Sequence, residues 1–238
     1  METAVAVATP KRTEFKDATR VLTSVLAPIE KRTLIWLAER MPARVNSDHL
    51  TALALAAMLG AGLSFWLASV TPVGLVLVVL FLAVNWFGDS LDGTLARVRQ
   101  HQRPRYGFYV DHVIDAVGTL FLIGGMALSG FMSPYVALGL LVAYFLLTVE
   151  VGLATHSLGT FKISHFMVGP TELRILLAIG ALTLIVHPTS TIAGRTFLLF
   201  DVGGVIAIAG LVVTFLRSAL VNTITLYRAE PIPGREPQ

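Results

Sequence analysis

The chain has no cysteine, which excludes disulfides and thiolate metal sites and leaves the redox compartment unread. It is also poor in charge. Charged residues make up 14% of its 238 positions, against about 25% in soluble domains. Hydrophobic residues make up 55%, and the mean hydropathy is +0.74. That balance belongs to a membrane protein. Residues 1–10 lack the charged stretch, apolar run and cleavage site of a secretory signal. The net charge of +3 and pI of about 9.4 do not indicate nucleic-acid binding. The basic residues lie beside apolar runs, where positive loops at a cytoplasmic membrane face account for them.

What the chain has in plenty is long apolar sequence. A spanning helix takes about 20 such residues. Residues 52–70 and 71–88 carry no charge. Residues 116–149 are uncharged and too long for one span, and Ser133-Pro134 divides them. Residues 175–194 form another run, with His187-Pro188 near its end, and 202–216 continues past Arg217 through 218–227. These runs predict an all-α integral membrane bundle of six transmembrane helices. Of the 18 lysines and arginines, all but Arg195 then fall on one side or at helix ends facing it. This asymmetry places both termini in the cytoplasm.

Between residues 15 and 42, Phe15, Val21, Leu22, Val25, Leu26, Ile29, Leu34, Ile35 and Leu37 recur at near-helical spacing, with Lys16, Arg20, Lys31, Arg32 and Arg40 among them. The pattern predicts an amphipathic helix on the cytoplasmic surface, with Pro28 as a point of interruption; the alternative is a soluble helix packed on the loops. The expected division is a tail and juxtamembrane helix over 1–44, a transmembrane catalytic domain over 45–228, and a polar, proline-rich, disordered tail over 229–238.

Ionisable residues in spanning segments are costly, about 2.5–3.5 kcal/mol each on insertion scales. Here Asp89 and Asp92 stand at the cytoplasmic end of the second predicted span, and Asp111 and Asp115 at the start of the third. Spacings of three and four put each pair on one helix face. The connection over 98–110 makes the two helices antiparallel neighbours, so both pairs converge at one depth. Asp111 and Asp115 alone would suit helix caps. Asp89 and Asp92 lie near a helix C-terminus, where the macrodipole disfavours negative charge, and a cap does not account for them. Four adjacent carboxylates must protonate or bind cations. An all-oxygen set suits Mg²⁺, Mn²⁺ or Ca²⁺, not zinc. Two such ions clamp a diphosphate and stabilise the charge leaving with a nucleotide. Gly93 and Ala96 leave room for a substrate beside the helix backbone, and Arg97, one turn beyond Gly93, is placed to pair with a phosphate or an aspartate.

The segments Asp89-Ser-Leu-Asp92-Gly93-Thr-Leu-Ala96-Arg97 and Gly107-Phe-Tyr-Val-Asp111-His-Val-Ile-Asp115, nine residues apart, resemble the signature of the CDP-alcohol phosphotransferases, D-x2-D-G-x2-A-R followed by G-x3-D-x3-D. Every fixed position is present. The six-helix plan is similar too, over about residues 28–228, and Asn46-Ser-Asp48-His-Leu50-Thr51 is similar to the segment before that family's first helix. The resemblance implies that Asp89, Asp92, Asp111 and Asp115 hold two divalent cations, Mg²⁺ or Mn²⁺. It implies that the diphosphate of a CDP-linked donor binds them, that Asp92, Gly93, Ala96, Arg97 and Gly107 shape the nucleotide pocket, and that Asp115 is the base for the acceptor hydroxyl. The alcohol attacks the phosphorus outside the cytidylate, and CMP leaves. The partners implied are the CDP-linked donor, a lipid or small-alcohol acceptor and membrane lipids, in a homodimer.

Two features lean toward the branch that joins CDP-choline or CDP-ethanolamine to diacylglycerol. Asp111-His112 followed by Asp115 resembles that branch's D-H-x-x-D, which lets His112 share or take the base role. Gly169-Pro170-Thr171-Glu172 is similar to its G-P-x-E stretch, with Glu150 upstream. Glu172, Lys162 and Glu150 are therefore weak acceptor or head-group candidates. An acceptor bearing its own phosphate needs cations. The 157–174 connection offers only Lys162 and Arg174, and Arg99, Arg103 and Arg105 suit anionic-lipid contacts better. The alternative branch uses CDP-diacylglycerol with serine, glycerol phosphate, inositol or inositol phosphate. His156 and His165 suit loop or interface positions. Trp36, Trp66 and Trp86 suit interfacial anchoring or packing, and Gly124, Gly125 and Gly139 suit close helix packing of the kind a dimer uses. A cation-coupled transporter also places carboxylates in the membrane. Its usual repeated halves with interrupted helices have no counterpart in this sequence.

Overall fold

The computed structural model describes residues 27–158 and 169–230. Among them are seven helices and one two-stranded hairpin. The helices are α1 (Ala27–Arg40), α2 (Ser47–Ala68), α3 (Val73–Val98), α4 (Pro104–Leu128), α5 (Pro134–Leu158), α6 (Pro170–Leu184) and α7 (Leu199–Ala229). The strands are β1 (Thr189–Ile192) and β2 (Arg195–Leu198), paired antiparallel. The chain is an all-α, multi-pass integral membrane protein. Helices α2, α3, α4, α5 and α7 are long and apolar enough to span. Helix α6 has 15 residues, about 22 Å at 1.5 Å per residue, and completes the six-helix bundle. Helix α7, with 31 residues, reaches about 46 Å and outruns a hydrocarbon core of roughly 30 Å. The helices alternate in direction, so the starts of α2, α4 and α6 and the ends of α3, α5 and α7 share one face of the bundle. The hairpin lies at the other.

Lipid is as apolar as leucine, so helices in a bilayer associate by close packing rather than by hydrophobic exclusion. This explains why Leu63, Val76, Leu138 and Leu216 remain exposed; they face lipid. The tightest crossing joins α2 to α4. A Cβ on Gly62 would strike the carbonyl oxygen of Phe121, and one on Gly125 would strike that of Gly62. Gly88 likewise admits the backbone of α2, since a Cβ there would lie 2.6 Å from the Leu50 oxygen. Gly125, considered in the sequence for a dimer seam, is therefore spent inside the protomer, as is Gly139, which faces Ile208 of α7. Toward the hairpin, Phe65 meets Phe200 edge-on, with ring centroids 5.8 Å apart. Asp201 Oδ1 accepts from the Ser133 backbone N–H at 2.6 Å just before α5.

Helix boundaries follow local chemistry. Asn46 and His49 form a reciprocal capping box at the start of α2: the Asn46 side chain accepts from the His49 N–H at 2.9 Å, and His49 Nδ1 accepts from the Asn46 N–H at 3.3 Å. Helix α3 ends with Gln100 in the left-handed region, φ 56°. The His101 N–H bonds back to the Ala96 oxygen and the Gln100 N–H to that of Arg97, closing a Schellman motif. Pro104 then opens α4 at its first position. The connection is thus 99–103 rather than the expected 98–110, and Asp111 sits in the second turn of α4 rather than at its start.

The run over 175–194 does not continue as one helix. Helix α6 stops at Leu184, and Pro188 precedes a hairpin closed by Ala193 and Gly194, with φ of 49° and 76°. Two positive φ values in a two-residue loop make the turn that hairpins favour, and the β-branched Thr189, Thr191 and Ile192 suit a strand. In α1, the described part of the expected amphipathic helix, Pro28 lies in the first turn and interrupts nothing; residues 15–26 lie outside the described ones. Leu34 and Ala38 pack on Leu50, Leu91 and Leu95, whereas Ile29 and Trp36 face outward.

Candidate active site

The site grows from the antiparallel pair α3 and α4. Asp89 and Asp92 lie two to three turns before the end of α3; Asp111 and Asp115 lie two to three turns into α4. Asp89, Asp111 and Asp115 each offer a carboxylate oxygen, and these oxygens lie within 4.8 Å of one another. At that separation and an effective dielectric of ~20, each pair of full charges repels by roughly 3.5 kcal/mol. A compact carboxylate triad therefore calls for protons or cations, and its oxygen-only donors fit a hard divalent metal. The cluster can hold such an ion.

Asp92, the fourth acid, is held differently. Its Oδ2 accepts from Thr51 Oγ1 at 2.6 Å, its Oδ1 from the Gly93 N–H, and its backbone oxygen from Ser47 Oγ at 3.0 Å. Ser47 and Thr51 are one turn apart at the start of α2, on the face that Gly88 allows to approach. Sequence alone marked the 46–51 segment only as a likeness; its two hydroxyls at a spacing of four were the legible signal.

The sequence offers Arg174 as a loop cation for an acceptor phosphate; the structure places it on an aspartate instead. On α6 it spans two partners on α3: Nε donates to Asn85 Oδ1 at 2.7 Å, and Nη2 donates to Asp89 Oδ2 at 2.5 Å. Asn85 is buried and uses its other end on α2, donating from Nδ2 to the Ala54 oxygen at 3.0 Å. A chain of charge-assisted and neutral hydrogen bonds thus runs from α2 through α3 to α6 and terminates on the first aspartate. Nη1 of Arg174 is buried with no hydrogen-bond partner among the described residues. A lone amide inside an apolar run was the signal for Asn85. The three carboxylates and this guanidinium together carry a formal charge of −3 + 1 = −2.

The remaining candidates fall as follows. Gly93 is half-buried, with Arg97 Nη1 at 3.4 Å from where its Cβ would be. Arg97 is exposed and donates to Thr94 Oγ1 at 2.9 Å; Ala96 is half-buried beside it, and Gly107 is exposed with open space around it. His112 Nδ1 lies 2.8 Å from the Phe108 oxygen and 3.9 Å from Asp111 Oδ2. A carbonyl only accepts, so Nδ1 carries the proton and Nε2 is the basic nitrogen of the neutral ring.

Glu172 Oε2 accepts from the Gly169 N–H at 3.0 Å, which closes the start of α6. Glu150 is buried between α5 and α7, where its Oε1 accepts from Ser218 and Asn222 at 2.9 and 2.7 Å. Lys162 and His165 lie outside the described residues, and His156 lies in the last turn of α5. Arg99 and Arg103, considered for lipid contacts, serve their own chain. Arg99 donates to the carbonyls of Met41, Pro42 and Val45 after α1, and Arg103 pairs with Asp48 and lies over the ring of Tyr106.

No curated protein matches the chain. The sequence profile described as CDP-alcohol phosphatidyltransferase matches residues 46–223, a stretch that holds all four aspartates, Thr51 and Arg174. The chain belongs to the CDP-alcohol phosphatidyltransferase family, and so is a membrane phosphotransferase of phospholipid synthesis that transfers a substituted phosphate and releases CMP.

Proposed function

We propose that the chain transfers phosphocholine or phosphoethanolamine from its CDP ester to the hydroxyl of diacylglycerol. One observation supports the neutral acceptor most. Two arginines of the α3–α4 connection are engaged by their own chain, Arg99 by carbonyls and Arg103 by Asp48, which leaves fewer cations for an acceptor phosphate. The D-H-x-x-D and G-P-T-E resemblances point the same way. In this reading Asp89, Asp92, Asp111 and Asp115 hold two divalent cations, Mg²⁺ or Mn²⁺. When bound, these supply the positive charge that neutralises the diphosphate and stabilises CMP as it leaves.

The chain's own residues do the rest. Thr51 and Ser47 orient Asp92, and Arg174 orients Asp89. Gly93 and Ala96 keep the α3 surface low where the cytidylate lies, with Arg97 and Gly107 at its edge. Asp115 belongs to the triad yet is exposed, which suits it to take the proton of the acceptor hydroxyl. The alcohol oxygen then bonds to the outer phosphorus, the phosphoanhydride bond breaks, and CMP carries away the electron pair. His112, with its basic Nε2, is the alternative base. Glu150, Glu172 and Lys162 are the head-group candidates. The site and both termini face the cytoplasm, residues 45–228 form the catalytic domain, and the enzyme works as a homodimer whose seam does not use Gly125.

A second reading rests on the unpartnered Nη1 of Arg174, a donor that the phosphate of glycerol phosphate or inositol phosphate would satisfy; the donor would then be CDP-diacylglycerol. A screen of purified protein in lipid with Mg²⁺, following CMP release, separates the two. Turnover of CDP-choline or CDP-ethanolamine with diacylglycerol, lost in Asp92→Asn, is expected. Turnover only of CDP-diacylglycerol with serine, inositol or a phosphorylated acceptor would keep the chemistry and overturn the branch.

A further inference from the structure

Helix α1 precedes the stretch that matches the family, which begins at residue 46. Yet its hydrogen bonds to the site's supporting helices converge on a single atom. Glu30 Oε1 accepts from Thr171 Oγ1 of α6 at 2.6 Å and from Trp86 Nε1 of α3 at 2.8 Å, with Ser90 Oγ of α3 at 3.3 Å. Trp86 and Ser90 are one turn apart and share a face of α3. Asn85 and Asp89 stand one position before each of them, on the adjoining face, and both bind Arg174. On α6, Thr171 and Arg174 are three apart and likewise share a face. Helices α3 and α6 are therefore joined twice at the same depth: directly, by Arg174 on Asn85 and Asp89, and indirectly, through Glu30.

We propose that Glu30 is a positioning residue for the active site, and that α1, although it precedes the 45–228 catalytic domain, works with that domain rather than as a separate surface anchor. It sets the rotation and height of α6 against α3, and through that the seat of Arg174 on Asp89. The physical case rests on three points. A carboxylate that gathers donors from two helices makes charge-assisted bonds, stronger than neutral ones. In a bilayer, little else fixes one helix against another except packing and such bonds. Packing of Leu34 and Ala38 on Leu91 and Leu95 holds α1 in place along α3, so Glu30 presents a fixed acceptor to Thr171. The effect on catalysis rests on the transferase reading above; the effect on helix placement does not.

The test exploits a chain without cysteine. Spin labels at Leu80→Cys on α3 and Leu176→Cys on α6, both exposed positions, report the distance between the helices in the full-length protein in lipid nanodiscs. In Glu30→Ala the distance distribution should broaden or shift, and kcat/KM for CMP release should fall roughly tenfold, the scale of one lost hydrogen bond to a charged group. Glu30→Gln keeps an accepting oxygen but loses the charge, and should recover part of both. Thr171→Val, which removes one donor at nearly constant shape, should reproduce the distance change and serves if Glu30→Ala does not fold. An unaltered distance distribution in Glu30→Ala and Thr171→Val overturns the inference, as does a Glu30→Gln protein as impaired as Glu30→Ala. If no CDP ester is turned over, the transferase reading fails, while the distance measurement still decides the role of Glu30.

Discussion

Arg174 of α6 donates to Asp89 of α3 at 2.5 Å across 85 residues of sequence. Through the same guanidinium it reaches Asn85, so its fork fixes the orientation of the carboxylate as well as offsetting its charge. Arg174→Lys separates these contributions, because lysine keeps the charge and loses the planar two-point grip. Mn²⁺ affinity should weaken by about 10–100-fold, as for other groups that orient a metal ligand, with kcat/KM falling in parallel. Mn²⁺ titration followed by electron paramagnetic resonance checks this; an affinity equal to that of the unaltered protein would mean that Arg174 acts by charge alone.

Asp115→Asn should lower kcat by about 10²–10⁴-fold, the range for loss of a general base. His112→Asn, which removes the basic Nε2, should cost far less if Asp115 takes the proton. Rates with a CDP donor at saturating acceptor measure both. The reverse order of the two losses would transfer the base role to His112.

Thr51→Val removes the donor to Asp92 Oδ2 while keeping the side chain's shape. It should raise KM for the CDP donor by roughly tenfold, the scale of a lost charge-assisted bond, and leave the helical circular dichroism unchanged. Thr51→Ser, which retains the hydroxyl, should recover most of the loss. A Thr51→Val protein with normal KM would remove Thr51 from the site.

Chelation by EDTA should abolish CMP release, and Mg²⁺ or Mn²⁺ should restore it, because the donors are all oxygens. Zn²⁺ should restore little. Activity that survives exhaustive chelation would contradict the metal assignment of the aspartates.

Gly62→Ala puts a methyl group onto the Phe121 carbonyl at the α2–α4 crossing. Overpacking of this kind costs about 1–3 kcal/mol, so the thermal midpoint in detergent should fall. Gly124→Ala, with open space around its site, should be nearly neutral and serves as the matched control.

The sequence by itself determined the membrane class, the order of the helices and the pairing of the aspartates. Each is a local property: apolar length sets a span, and spacings of three and four put Asp89 with Asp92, and Asp111 with Asp115, on single helix faces. The starts of α2 and α4 rest on Asn46 and Pro104, whose effects reach only a turn or so, but the sequence predicts the α3–α4 connection at 98–110 instead. Only the tertiary structure decided that three of the acids meet closely while Asp92 turns to Thr51, that Arg174 reaches Asp89, and that Glu30 binds α3 to α6. Those contacts between helices span 22 to 141 residues, and no periodicity along one helix says which face of another it will meet. The fate of the glycines followed the same rule. The sequence marks Gly125 and Gly139 as permitting close approach, but whether the neighbour is this chain or a second copy depends on how α4 crosses α2 and α5 meets α7. The hairpin at 189–198 was hidden for a different reason: its residues up to Gly194 are uncharged and so prolong the run, and it took Pro188 and the positive φ of Ala193 and Gly194 to turn them back.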